Sequence, residues 1–307
     1  MSKHLNGKKI MTENRHWLLG VDGGGTSCRV RLCDADNNIL GQGISGSANV
    51  RLGSHTVFKS INEATTQALA EAHLDSSILS RTYAGFGLAG AVSNKLNQTI
   101  INYPHPFAGL CVDNDAVTAC LGAHKGSDGG ILILGTGSCA MVNCDNMFRM
   151  LGGWGLTISD HGSGAKLGQD FARKALAAFE GLIPCTPLSE AFMTKHDNSP
   201  ATLLHWADTA TPRDFGALVP MIIEYYHAQD PLALTMIETS LYEIQLLLER
   251  LCSLGAKKIS LMGGFSNFIA TLVAAKLPEK FKDIIVPAQG DALDGAIFLA
   301  NKLANKK

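Results

Sequence analysis

The chain has 307 residues, of which 46% are hydrophobic and 17% are charged, and its formal net charge is −1. This composition is typical of a globular protein with a sizeable core, and the length allows two domains. A net charge near zero provides no field to recruit nucleic acid or an anionic membrane, so neither is an expected partner. The longest uncharged apolar run, Ile131–Val142, is too short to span a bilayer.

Residues 1–16 are polar and lack the apolar stretch of a signal peptide, so we expect a loose leader before the first folded element. The eight cysteines are scattered, and none forms a Cys-x-x-Cys pair. This pattern favours reduced thiols in a cytoplasmic protein.

The first predicted element is a buried strand over Trp17–Val21, followed by Asp22, Gly23, Gly24, Gly25, Thr26 and Ser27. Glycines let backbone amides approach an anion closely, and the hydroxyls add hydrogen-bond donors. Asp22 would repel a phosphate by itself, but it is explained if a Mg²⁺ ion lies between the carboxylate and the phosphate, through water. The alternative is a glycine-rich hairpin turn with a solvated aspartate.

The rest of the first half alternates between strands and helices. The predicted strands are Cys28–Ala35, Ile39–Ser45, Tyr83–Leu88 and Leu110–Val112, and the predicted helices are Val57–His73, Asn94–Tyr103 and one that ends at His124. The glycine loop therefore joins the first two strands of a three-strand meander.

Asp115 lies where a buried strand is followed by a helix, which is a position where α/β folds place functional groups. A carboxylate there can accept the proton of a sugar hydroxyl during phosphoryl transfer. Helix capping is the other role that the position of Asp115 suggests, and the two roles do not exclude each other. Asp113 is an equal candidate for the base.

The second half repeats the pattern of the first. A strand at Ile131–Leu134 is followed by the loop Gly135, Thr136, Gly137 and Ser138 and by a strand at Cys139–Cys144. With an offset of 111, residues 24–41 match residues 135–152 at seven of 18 ungapped positions. The sequence therefore predicts one strand–loop–strand–turn–strand unit used twice, with a second phosphate loop.

The segment from Gly152 to Gly164 is rich in glycine and hydroxyl groups. In this segment, the Asp160 carboxylate can bind a pair of sugar hydroxyls, and Trp154 can pack on the apolar face of a sugar. Helix capping is the alternative role for Asp160.

The remaining predicted elements are helices at Ala165–Phe179, Pro231–Leu254, Ser266–Lys276 and Asp291–Leu303 and a strand at Ile259–Gly264. Gly263 and Gly264 indicate either a tight strand–helix turn or a close approach of backbone to adenine or ribose. Two halves that each open with a glycine-turn hairpin predict two similar α/β domains with a nucleotide cleft between them. The expected domains are residues 17–125 plus about 290–307, and residues 126–289.

Together the motifs resemble those of the N-acetylglucosamine kinase and BadF/BadG-type ATPase family of the actin/hexokinase/Hsp70 superfamily. Within that family they are most similar to the bacterial glucosamine and N-acetylglucosamine kinases. The motifs are GVDGGGTSCRVRL, GSANVRLG, DNDAVTACLGAH, ILILGTGSCA, GGWGLTISDHGSGAKLG, LMGG and GDALDGAIFLA, and they extend from about Trp17 to Leu303. The family often has glutamate where this chain has His161, which puts the role of that glutamate in doubt.

The resemblance implies two actin-like (ribonuclease H-like) domains and an ATP- and Mg²⁺-dependent kinase acting on the 6-hydroxyl of N-acetylglucosamine or D-glucosamine. It also suggests a homodimer. The implied roles are metal association for Asp22, general base for Asp115, phosphate binding for Gly23–Thr26 and Gly135–Ser138, adenosine binding for Gly263 and Gly264, and sugar binding for Asn49, Asp115, Trp154 and Asp160.

Two other functions remain open. One is an ATPase of the BadF/BadG type that drives a partner protein, although such activators carry a cluster-binding cysteine pair near a loop. The other is a sugar-binding regulator without catalysis, which usually carries a helix-turn-helix for which the 16-residue leader is too short.

Overall fold

The computed structural model describes residues 16–306, so the predicted leader lies outside the described residues except for His16. The described chain divides into two compact units. The first unit extends to Ser127 and resumes at Ala288, and the second unit is Asp128–Pro287. No helix within residues 16–306 is both long and apolar enough to cross a membrane.

The strands of the described chain fall close to the predicted positions. They are β1 (Trp17–Gly23), β2 (Cys28–Asp34), β3 (Ile39–Ser45), β4 (Thr82–Leu88), β5 (Gly109–Asn114), β6 (Gly129–Leu134), β7 (Ser138–Cys144), β8 (Met147–Gly152) and β9 (Ile259–Met262). Short 3₁₀ helices lie at Val50–Leu52, Ser76–Arg81 and Glu279–Phe281.

The α-helices are α1 (Ser54–Glu71), α2 (Asn94–Ile101), α3 (Asp115–Ala123), α4 (Gly164–Phe179), α5 (Pro187–Lys195), α6 (Pro200–Thr209), α7 (Pro212–Gly216), α8 (Val219–His227), α9 (Pro231–Ser253), α10 (Gly264–Lys276) and α11 (Ala292–Ala304). Several of them begin with a capping residue followed by proline, as at Thr186-Pro187, Ser199-Pro200 and Asp230-Pro231. Proline suits this position because its missing N–H would have no partner in the first turn of a helix.

The first unit contains a five-stranded sheet in the order β3-β2-β1-β4-β5. β1 is antiparallel to β2 and parallel to β4, and β4 is parallel to β5. The pairing places Asp22 opposite Gly87 and Gly87 opposite Asp113, so the two aspartates lie in one row across three strands. The carboxyl ends of β1, β4 and β5 therefore meet at one edge of the sheet.

The second unit contains a four-stranded sheet in the order β8-β7-β6-β9. Its antiparallel β6, β7 and β8 repeat the meander of β1, β2 and β3, and its parallel β9 takes the place of β4. The predicted duplication of a strand–loop–strand–turn–strand unit is confirmed.

The ungapped alignment of the two meanders is wrong beyond the first glycine loop. Gly23 pairs with Cys28 in the first hairpin, whereas Leu134 pairs with Ser138 in the second, so the second loop is one residue shorter. The structural equivalent of Cys28 is therefore Ser138 and not Cys139. The identities at Ser138 and beyond are therefore not structurally equivalent, because strand register follows the length of the connecting turn.

Two glycines allow helices α3 and α11 to cross at very short range. A Cβ at Gly122 of α3 would collide with the carbonyl oxygen of Asp291, and a Cβ at Gly295 of α11 would collide with that of Thr118. Since α11 is also packed on β1 and β4, where Gly20 and Gly85 face it, this crossing holds the C-terminal helix on the first sheet.

We expect Gly122→Ala to destabilise the protein by about 2 kcal/mol or more, since a methyl group there forces the two helix backbones apart. Without the close crossing, alanine would stabilise the helix relative to glycine. The sign of the change in the free energy of unfolding therefore tests whether the two helices cross closely. The midpoint of thermal unfolding measures it.

The matched control is Gly46→Ala, whose Cβ would lie 3.8 Å from the Ser60 hydroxyl, an ordinary contact distance. We expect this control to stay within about 0.5 kcal/mol of the parent protein. An unfolding midpoint for Gly122→Ala equal to that of the control would contradict the packing described for α3 and α11.

Candidate functional site

The Asp22 carboxylate lies at the end of β1 and is held by an arginine of the neighbouring strand. Arg29 donates to Asp22 Oδ2 through Nε at 3.0 Å and Nη2 at 2.6 Å. This contact follows from the hairpin itself, because Asp22 and Arg29 are directly opposite in the antiparallel pair. In the second hairpin the equivalent pair is Ile133 and Cys139, so only the first unit carries the charged pair.

The Asp22–Arg29 pair continues into a network with the start of α11. Arg29 Nη1 donates to Asp291 at 3.1 Å, and Arg31 Nη1 donates to Asp294 at 2.5 Å. Burial opposes the charge of Arg29, but its bonds to Asp22 raise the pKa of the guanidinium above the ordinary value. The predictions from the sequence did not include this network, although the alternation of arginines with buried residues along β2 is a signal for it.

The first glycine loop is tied to its neighbours through its carbonyl groups. Gly23 O accepts from Ala89 N at 2.7 Å, and Gly24 O accepts from Ala48 N at 3.2 Å and from Ser47 Oγ at 3.1 Å. Residues 25–27, at the tip of the loop, are exposed. The carbonyls are therefore engaged within the unit, while the tip presents glycine backbone and hydroxyl groups to solvent, as an anion-binding loop requires.

Asn49 lies in the segment that hydrogen-bonds to the glycine loop. Its Oδ1 accepts from Arg51 N at 2.9 Å and caps the 3₁₀ helix Val50–Leu52, and Val50 N donates to Ala89 O at 3.0 Å. The side-chain oxygen thus has a structural role. The Nδ2 group is the part of Asn49 that can donate to a ligand.

Asp115 is the first residue of α3, directly after β5. Its carboxylate accepts from Ala116 N at 3.0 Å, and burial, with a smaller effect of the Asp22 charge, raises its pKa above the ordinary aspartate value. The capping role considered for Asp115 is wrong, because Asn114 is the N-cap and its Oδ1 accepts from Ala116 N at 2.9 Å. Asp113, in β5, also has a pKa raised by burial.

The second glycine loop supports the start of α4. Gly164 N donates to Gly135 O and Ala165 N donates to Thr136 O, both at 3.0 Å. The buried Ser138 hydroxyl donates to His161 O at 2.7 Å, so it is used inside the unit. Thr136 is exposed.

Asp160 lies beneath this second loop in the left-handed backbone conformation, with φ of 61°. Burial raises the pKa of its carboxyl, although the backbone amides of Ser138 and Gly155 donate to it and lower the pKa in part. The capping role considered for Asp160 is wrong, because Ser163 is the N-cap of α4. In the same segment Trp154 is 58% exposed.

Gly263 forms the tight turn between β9 and α10. It has φ of 95°, and a Cβ there would collide with the carbonyl of Leu134 at the end of β6. Gly264 has no other atom within 4 Å of its Cβ position. The pair therefore serves strand–helix packing at Gly263 and leaves open backbone at Gly264.

A Mg²⁺ ion bound by the protein alone would need several converging ligands. Within residues 16–306 no three His, Cys, Asp or Glu side chains converge to hold a metal. Mg²⁺ in nucleotide sites retains several waters and uses one or two carboxylates together with phosphate oxygens. The partly exposed Asp22 beside the glycine loop fits that mode of binding and does not form an all-protein metal cage.

A known protein family matches nearly all of the described chain. The sequence pattern of the BadF/BadG/BcrA/BcrD ATPase family matches residues 19–300, from within β1 to within α11. The chain belongs to this family. The match includes both compact units, and the resemblance inferred from the motifs is confirmed.

Two relatives match nearly the whole chain. The glucosamine kinase GspK of Vibrio cholerae is 36% identical over 287 residues, which cover 94% of this chain and 96% of the relative. A candidate N-acetylglucosamine kinase of Chromobacterium violaceum has a solved structure with a TM-score of 0.81 and 29% identity, covering 93% of this chain and 99% of that one.

A second solved structure shows the fold alone. The ROK family glucokinase of Streptomyces griseus, solved with glucose and AMPPNP, has a TM-score of 0.55 at 18% identity and covers 95% of this chain and all of that one. The predicted fold class, α/β with two actin-like domains, is confirmed.

Each unit brings together part of the predicted site. In the first unit, Asp22, the glycine loop, Asn49 and Asp115 converge at the carboxyl edge of the parallel strands. In the second unit, Gly135–Ser138 and Asp160 are in contact. The site residues predicted from the sequence did not include Arg29, Asp291 or Glu243. Glu243 lies on α9 and accepts from Gly162 N in the Asp160 segment.

Proposed function

We propose that this protein is an ATP-dependent amino-sugar kinase that transfers the γ-phosphoryl group to the 6-hydroxyl of D-glucosamine or N-acetylglucosamine. The observation that carries the proposal is the position of Asp115, a half-buried carboxylate at the strand edge that also carries Asp22 and a glycine loop. The match along 94% of the chain to a glucosamine kinase supports it.

Asp115 is proposed as the general base. Its carboxylate is half-buried, and burial raises its pKa above the ordinary aspartate value, which makes it a better proton acceptor than an ordinary aspartate. The residue is fixed at the start of α3 by its bond from Ala116 N, and this fixed position orients the sugar hydroxyl for attack.

Asp22 is proposed to hold the nucleotide-associated Mg²⁺ through water, and Arg29 keeps the Asp22 carboxylate in place. The ion supplies neutralisation of phosphate charge when it is bound. We assign the backbone of Gly23–Thr26 and Gly135–Ser138 to the ATP phosphates and Gly264, with its open backbone, to the adenosine.

Asn49, Trp154 and Asp160 are proposed to bind the sugar. Asn49 offers Nδ2 as a donor, Asp160 offers a carboxylate, and Trp154 offers an exposed aromatic face. Glucosamine and N-acetylglucosamine differ at the 2-position, where a free ammonium group prefers a carboxylate and an acetamide prefers an apolar pocket.

An ADP-release assay with glucosamine, N-acetylglucosamine, glucose and N-acetylmannosamine tests the proposal. We expect ADP release that depends on one of the two glucosamine sugars and on Mg²⁺. ADP release that is independent of every sugar would point instead to an ATPase that drives a partner protein. A protein that forms no ADP with any of these sugars would contradict the kinase proposal.

A further inference from the structure

The segment Asp160–Ser163 is held from outside the predicted motifs by a residue of α9. Glu243 Oε2 accepts from the backbone amide of Gly162 at 2.5 Å, a charge-assisted hydrogen bond across 81 residues of sequence. No motif of the sequence singles out Glu243. Its carboxylate is half-buried, unlike the exposed Glu238 on the same helix.

The segment needs this support because its backbone is constrained. Asp160 and Gly162 both have left-handed φ values, 61° and 67°. A Cβ at Gly162 would lie 2.7 Å from Ile244 Cγ1, so the segment is pressed directly against α9. A non-glycine residue with positive φ persists only where the surrounding contacts fix it.

Hydrogen bonds and a short stretch of backbone connect Glu243 to the second glycine loop. Gly162 is followed by Ser163, the N-cap of α4, and the first amides of α4 donate to the carbonyls of Gly135 and Thr136. Ser138 Oγ, at the other end of the loop, donates to the His161 carbonyl. The Asp160–Ser163 segment therefore contacts the Ser138 end of the loop directly and leads into the α4 amides that hold the Gly135 end, and Glu243 holds the segment.

We infer that Glu243 is a positioning residue for the second glycine loop, and that it sets the affinity of this loop for the phosphates of ATP without touching the nucleotide. The inference rests on the phosphate role given to Gly135–Ser138 in the proposed function. A carboxylate suits the task because its bond to an N–H is shorter and stronger than that of a neutral acceptor.

The test measures binding to the intact protein without sugar. In Glu243→Leu the Gly162 amide loses its acceptor, and we expect the Kd for Mg·ATP to rise about tenfold or more, as expected for the loss of a charge-assisted bond. The Kd for adenosine, which has no phosphates, should stay within about twofold. Glu243→Gln keeps an acceptor oxygen and should restore most of the ATP affinity.

The matched control is Glu238→Leu, the same change at an exposed position of α9 where the carboxylate lies 3.8 Å from Lys276. It should leave both affinities unchanged. Hydrogen exchange provides a second readout, since the Gly162 amide should be protected in the parent protein and in Glu243→Gln but exchange faster in Glu243→Leu. If the leucine variant does not fold, Glu243→Asp replaces it, because its carboxylate is one methylene shorter.

A folded Glu243→Leu protein that binds ATP as tightly as the parent would overturn the inference. Equal weakening of ATP and adenosine binding would also overturn it, since that result indicates a general disturbance of the second unit. The proposed function fails separately, because a protein that binds ATP in this manner but phosphorylates no sugar would contradict only the kinase proposal.

Discussion

Asp115→Asn is expected to lower kcat about 100-fold or more while the Kd for the sugar changes little, since general-base catalysis contributes about 10²–10⁴-fold. The asparagine side chain keeps the size of aspartate and an oxygen that can accept from Ala116 N, and the cap of α3 at Asn114 is unchanged, so the helix should still begin at the same residue. ADP release gives kcat, and calorimetry with the sugar alone gives the Kd.

The control for this result is Asp113→Asn, which changes the competing carboxylate of β5. We expect it to keep most of the turnover.

The parent enzyme should also lose activity as the pH falls through a midpoint above the ordinary aspartate value, because burial raises the pKa of Asp115 and the base must be deprotonated to act. Turnover near the parent level in Asp115→Asn would remove Asp115 from the mechanism.

Asp22→Ala is expected to raise the Mg²⁺ concentration needed for half-maximal rate by about 10- to 100-fold, the usual cost of losing a group that holds a metal through its water shell. The fold should survive, because the Asp22–Arg29 pair is partly exposed and such pairs contribute about 1 kcal/mol or less. Initial rates over a Mg²⁺ titration at fixed ATP measure the effect.

Asp294→Asn is the matched control, since it changes a carboxylate of the same charged network that contacts Arg31 and lies on α11. The asparagine oxygen can still accept from Asp291 N in the capping box, so the helix start is preserved. We expect an unchanged Mg²⁺ requirement. If Asp22→Ala also needed no more Mg²⁺ than the parent enzyme, the Asp22 carboxylate would not serve the metal.

Local sequence patterns were sufficient for most elements. β3 has the predicted bounds Ile39–Ser45, and β1, β2 and α4 differ from prediction by one or two residues. These segments have clear apolar periodicity and end at glycine or at turn residues, so the sequence alone limits where they begin and stop. No element was predicted over residues 187–227, where α5 to α8 are short. Of these helices, α5 and α6 start at the capping residue–proline pairs described above, α7 starts after Thr211 at Pro212, and α8 has no capping side chain.

The repeat shows where sequence comparison stops being reliable. Seven identities indicate the duplication correctly, but they place Cys28 against Cys139, whereas the strand pairing places it against Ser138. The turns between the second and third strands of the two meanders differ as well. Asp145 and Asn146 form a two-residue turn in which both residues have positive φ, whereas the corresponding turn of the first meander is longer. Turn length sets register through backbone hydrogen bonds, which identities along an ungapped alignment do not report.

The sequence by itself determined the two glycine-loop hairpins, the order of the main strands, and Asp22 and Asp115 as the notable carboxylates at strand ends. Only the tertiary structure decided what those groups contact. It placed Arg29 on Asp22, made Asn114 and Ser163 the helix caps in place of Asp115 and Asp160, and brought Glu243 to Gly162 from 81 residues away. Periodicity and turn chemistry are local properties that a sequence displays directly, whereas hydrogen bonds between distant residues depend on how helices pack on sheets.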